Sequence, residues 1–149
     1  MNQIDPFLLH QKIAPAVALA CQPVCKKYEI NQTGFDVLMF LAGHREYNTA
    51  RDLCTVRAIK PGLASVAVEH LIQRGFLKRE EDPEDRRVKR LFLTEAAQPL
   101  VEEGNALQRE FWRAVTAGIP EKELQAFCRT AQKMIANITD MPKKGTQDD

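Results

Sequence analysis

The chain has 149 residues, the length of about one domain, with 44% hydrophobic and 28% charged side chains, which excludes a disordered or collagen-like polymer. Lys+Arg 21 against Asp+Glu 20 leaves a net charge of +1, so overall charge points to no particular partner. The longest uncharged run, Ile13 to Cys25, contains Pro15, Gln22 and Pro23 and is too short and polar to span a bilayer.

No basic segment precedes that run, so no signal peptide is expected and a reducing cytoplasm is. Charge is uneven: residues 51–90 carry ten bases and seven acids, residues 91–149 seven bases and nine acids. The four cysteines show no two-residue spacing of a zinc knuckle or thioredoxin motif.

From Asp5 to Tyr28, Leu8, Leu9, Ile13, Val17, Cys21 and Val24 recur at helical steps, with Pro15 and Pro23 expected to kink or break the helix. Asn31 has the character of an N-cap for a helix ending near Gly43, with Phe35, Leu38, Leu41 and Ala42 on one face. Thr49-Ala-Arg-Asp52 has the form of a capping box and opens a short helix through Cys54. A turn over Val56–Lys60 leads to Pro61, well suited to the first position of a second helix that buries Ala64, Ala67, Val68 and Leu71 and stops at Gly75.

Two extended runs follow, Phe76–Glu81 and Val88–Leu93, joined by the turn-forming Asp82-Pro83-Glu84-Asp85. They predict a hairpin whose tip carries Arg86 and Arg87. Thr94 is expected to cap a long helix reaching Ala117, bent at Pro99. After Gly118, Pro120 opens a last helix striped by Leu124, Phe127, Ala131, Met134, Ile135 and Ile138, and the tail 142–149 is expected to be disordered.

A short helix, a tight turn, a second helix and a charged hairpin make a winged helix-turn-helix, so the fold class is mainly α with a two-stranded wing. The second helix suits the major groove of double-stranded DNA, and the arginine tip suits the narrow minor groove. One such unit makes few contacts, so a dimer on two half-sites is expected, built from the terminal helices (about 5–30 and 118–140) around a DNA lobe at about 49–93.

Three stretches resemble the MarR family of bacterial transcriptional regulators: Asn31-Gln-Thr-Gly-Phe-Asp-Val-Leu38, Leu71-Ile-Gln-Arg-Gly-Phe-Leu77, and Asp82-Pro-Glu-Asp-Arg-Arg87 with Leu93-Thr-Glu95. The resemblance implies a triangular homodimer on a palindromic operator, usually as a repressor, released by a ligand or by cysteine oxidation. It also implies that Arg87 enters the minor groove, braced by Asp85. The sequence departs from the family at Leu63, where Thr or Ser is common, and at Val66, where Arg is common, and Glu69 adds a negative charge. Candidate DNA contacts are Lys60, Pro61, Ser65, His70 and Gln73 on the second helix, and Asp85, Arg86 and Arg87 on the wing.

Regulation has two readings. An apolar pocket where the long helix of Phe111 and Trp112 meets the first two helices would take a small aromatic or hydrophobic effector. Alternatively Cys21 and Cys25, four residues apart and near Lys26 and Lys27, would sense redox state, which needs an accessible thiol of lowered pKa. Cys54 and Cys128 are expected to be structural. No metal site or cofactor is expected, since the histidines are far apart and no phosphate-binding or hydrolase motif occurs, so the chain is not read as an enzyme. A winged helix used only as a protein-interaction scaffold remains the rival function.

Overall fold

The computed structural model describes residues 6–141; the expected start at Asp5 and the expected disordered tail lie outside them. The chain divides into two compact units, residues 1–111 and 112–149.

In the first unit, helix α1 (Pro6–Tyr28) runs unbroken through Pro15 and Pro23. The expected break does not occur because both rings lie on exposed positions. Each proline removes one backbone donor, and the acceptors left over, on Gln11 and Leu19, belong to exposed residues that water can reach. The other face of α1 buries Cys21, Val24 and Cys25.

Helix α2 (Gln32–Gly43) starts where Asn31 Oδ1 accepts the Gly34 N–H at 2.8 Å. It forms the middle of the core, burying Phe35, Val37, Leu38, Phe40 and Leu41. Helix α3 (Ala50–Thr55) has the expected capping box: Asp52 N–H donates to Thr49 Oγ1 at 3.2 Å, and Thr49 N–H donates to Asp52 Oδ2 at 2.9 Å. Helix α4 (Pro61–Gln73) begins with proline at its first position and buries Ala64, Ala67, Val68 and Leu71. Gly75 follows at φ 78°, a left-handed backbone that favours glycine and turns the chain into the wing.

The wing is an antiparallel pair, β1 (Leu77–Glu81) and β2 (Lys89–Leu93), with Leu77 opposite Leu93 and Arg79 opposite Leu91. A single bridge between Thr49 and Arg90 ties β2 to the residue that caps α3.

Thr94 does not cap a helix with its side chain; its hydroxyl donates to the Gly75 carbonyl instead. A 3-10 turn (Glu95–Ala97) comes first, and α5 (Gln98–Val115) begins after it. Pro99 therefore stands in the first turn of α5, where an N–H has no helical acceptor, and the reason given for a bend is absent. Gly104 lets α5 approach α2 closely: a Cβ there would lie 2.8 Å from Met39 Sδ and 3.0 Å from Phe35 Cε2.

In the second unit, Gly118 at φ 79° ends the turn after α5, and α6 (Glu121–Asp140) follows Pro120. Its apolar stripe lies largely in solvent, with only Leu124 and Ala131 half-buried and Phe127, Met134, Ile135 and Ile138 all exposed. Cys128 is exposed too, so the expected structural packing of its thiol is not found within the chain. Trp112 is 47% exposed, which sets it outside any core of the single chain. Among the described residues no helix is long and apolar enough to cross a membrane.

Candidate nucleic-acid interface

The turn between α3 and α4 closes through Ile59 N–H on the Leu53 carbonyl at 3.0 Å, with Ala58 at φ 61°. It presents Lys60 and Pro61 in solvent at the start of α4. Ser65 and Gln73 are exposed along the helix, and His70 is half-buried. Leu63 and Val66 are exposed on the same helix. Glu69 forms an ion pair with Arg79 of β1, so its negative charge is answered locally.

At the wing tip, Asp82 N–H donates to the Val88 carbonyl at 3.0 Å and Val88 N–H to the Asp85 carbonyl at 2.9 Å. Asp85 Oδ1 accepts Arg87 N–H at 3.0 Å and Arg87 Nε at 3.2 Å. The Arg87 side chain is nevertheless 91% exposed, and Arg86 beside it is exposed as well. The guanidinium thus extends into solvent while Asp85, itself half-buried, accepts its Nε and the Arg87 N–H.

Three residues that hold the wing were not foreseen as a group. The buried carboxylate of Asp82 pairs with Arg90 Nε and also accepts the N–H groups of Glu84 at 2.8 Å and Asp85 at 3.1 Å. The Arg90 pair and those two donors hold its carboxyl below the usual carboxylate range. Arg90 Nη1 donates to Asn48 Oδ1 at 2.8 Å, and Leu91 N–H to the Asn48 carbonyl at 2.7 Å. The pattern Asp-Pro-Glu-Asp signalled a turn, but nothing near Asn48 in sequence announces a partner 42 positions away.

A cleft of about 540 Å³ lies behind the wing, walled by Leu41, Arg45, Asn48, Leu91, Phe92 and Val101 among others. It is bounded by α2, β2 and the start of α5; where α5 meets α1, as expected, a smaller hollow of about 330 Å³ is lined by Pro23, Val24, Glu103 and Leu107 among others. On the α1–α5 side, Glu103 accepts Lys27 Nζ at 2.6 Å and the Tyr28 hydroxyl at 2.8 Å. Those two donors hold the Glu103 carboxyl down, and Glu103 in turn holds the Lys27 and Tyr28 groups up.

Cys21 and Cys25 are buried, 1% and 8% exposed. Burial pushes both thiols up, with Asp36 adding to it, and the expected lowering of Cys25 by neighbouring lysines does not operate. Cys54 is half-buried and packs against the core. Among the described residues no three His, Cys, Asp or Glu side chains are grouped to hold a metal ion.

Residues 29–88, which span α2 to the wing tip, match the family model described as MarR family. This segment carries the sequence pattern of the MarR family of transcriptional regulators. Similarity of fold to solved chains extends well beyond the segment. The transcriptional regulator PA3341 superposes with a TM-score of 0.80 at 25% identity, covering 90% of this chain and 97% of that one. CouR from Rhodococcus jostii RHA1, solved bound to p-coumaroyl-CoA, gives 0.73 at 21% identity over 95% of each chain. MepR from S. aureus, solved as a DNA complex, gives 0.74 at 18%, covering 91% of this chain and 99% of that one. Identities this low carry the MarR fold and not its ligands.

Proposed function

We propose that this chain is a sequence-specific DNA-binding repressor that grips a palindromic operator as a homodimer in the cytoplasm and is released by a small hydrophobic or aromatic ligand. The observation that carries the DNA reading is Arg87, exposed at the wing tip and oriented by Asp85. An arginine already held in its fork loses little freedom on entering a narrow, negative minor groove. Lys60, Pro61, Ser65, His70 and Gln73 on α4 are the assigned major-groove or phosphate contacts, with Arg86 next to Arg87 on the wing.

Exposed apolar side chains on both terminal helices support the dimer: Leu8 and Leu9 on α1, and Phe127, Met134, Ile135 and Ile138 on α6. The cleft behind the wing has the volume of a small-ligand site, roughly 300–1,000 Å³. MepR in its DNA complex and CouR with its CoA thioester are relatives in which each kind of partner is seen. The redox alternative at Cys21 and Cys25 is disfavoured by burial and raised thiol pKa values. An interaction scaffold without DNA is the second reading, favoured by the apolar outward residues of α4.

A gel shift with promoter DNA flanking the gene, titrated with salt, tests the conclusion. A specific band that weakens as salt rises supports it. Absence of any band from folded protein would move the scaffold reading ahead. Sedimentation giving a stable monomer at micromolar concentration would sink the dimer.

A further inference from the structure

Helix α4 sends Ala64, Ala67, Val68 and Leu71 into the core. At 100° per residue the opposite direction belongs to Gly62, Val66, Glu69 and Gln73, with Leu63 and Ser65 on the two flanks. Val66, at the centre, is 67% exposed and Leu63 is 53% exposed, so the fold uses neither side chain as core. Nor does the fold need Gly62: a Cβ there would meet nothing within 4 Å. Glycine is nonetheless the poorer helix former. Glu69, the one acid in α4, is neutralised by Arg79 of the wing, and that pair joins the helix face and the wing into one surface.

We propose that α4 reads thymine methyl groups, through Val66 at the centre of the face and Leu63 beside it, while the bare backbone at Gly62 comes close to the groove floor. The inference rests on the DNA-binding reading above. In the major groove the C5-methyl of thymine is the apolar group that a base edge offers, and apolar side chains recognise it. Guanine is read by Arg or Lys and adenine by Asn or Gln. The outward centre of α4 has no cation and one amide, Gln73, so most of its discrimination must come from van der Waals contact. Exposed cations stand at its margins, Lys60 at the helix start, where a phosphate rail flanks the groove, and Arg86 and Arg87 on the wing toward the adjacent minor groove. Apolar centre and cationic rim together fit duplex DNA.

The test uses the full chain and a library of randomised duplexes. Enriched duplexes should carry A·T pairs at a fixed place in each half-site. Replacing those thymines by uracil keeps the pairing and removes only the methyl. It should weaken binding about four-fold per methyl, as for one buried carbon. Val66→Ala should weaken binding to the thymine duplex by a similar factor and to the uracil duplex much less. Gly62→Ala should weaken both while melting no lower than the wild type. Equal binding of thymine and uracil duplexes, or an equal Val66→Ala loss on both, would overturn the inference and leave DNA binding intact. Enrichment of no duplex by folded protein would remove the DNA reading itself, and this inference with it.

Discussion

Asp82 and Arg90 form the ion pair that fastens the wing where its tip loop leaves the strands, and Arg90 carries the link on to Asn48 ahead of α3. Asp82→Asn removes the charge from a nearly buried site while keeping its shape. Amide exchange at Glu84, Asp85 and Val88 should then quicken, with α2 and α4 unaffected. Unchanged exchange across the wing would show that the hairpin holds itself.

The same carboxylate sets an acid dependence. Its pKa in the folded chain lies below the unfolded value, so its contribution to stability is present above the ordinary carboxylate range. That contribution is lost as pH falls through the depressed value. Glu103 has the same sign, through Lys27 and Tyr28. Melting temperatures of the wild type and of Asp82→Asn should therefore differ at neutral pH and converge on acidification. Parallel curves would contradict the linkage.

For Arg87→Ala we expect operator binding to weaken by about 1–3 kcal/mol, the range of a good groove contact, with fold and dimer intact because the residue is exposed. Asp85→Ala should weaken binding less, although it removes a negative charge. Simple electrostatics would give tighter binding, so the sign of the Asp85 effect separates bracing from net charge. A salt titration of both variants measures it.

Gly104→Ala tests the close approach of α5 to α2. Met39 can swing aside, but the Phe35 ring is fully buried and cannot give way cheaply. The added methyl should destabilise the first unit by about 1–3 kcal/mol, the usual cost of overpacking, and denaturant melting would reveal it. A neutral result would mean the helices separate freely.

Thiol labelling should be sharply ordered. In folded protein Cys21 and Cys25 should react only on unfolding, whereas Cys128 should react in a monomer and be shielded where a second copy covers α6. Peroxide should leave DNA affinity unchanged in a Cys128→Ser background. A peroxide response that survives there and vanishes in Cys21→Ser would restore the redox reading.

Local chemistry was the readable part. The Asn31 cap, the Thr49–Asp52 box, Pro61 and Gly75 each act within four residues, and each stands where the pattern put it. The buried face of α4 followed from its period. Thr94 misled because its hydroxyl had a competing acceptor, the Gly75 carbonyl, 19 positions back. The prolines of α1 misled because their cost depends on which side faces water, and sequence alone did not reveal it. The α6 stripe was legible as an apolar face too large for the single chain to hide, although periodicity does not say what covers it. The wing's anchor and the Glu103 cluster join residues 42 to 76 positions apart, beyond the reach of any local pattern.

Asn48 stands in the wall of the cleft and holds β2 of the wing at once. Input and output of a switch built on this chain would then share one amide. A cleft molecule that drew Asn48 away from Arg90 would loosen the hairpin without any lobe having to travel. Reciprocity follows: duplex bound to the tightened wing must weaken the hold on that molecule by the same factor by which the molecule weakens the hold on DNA.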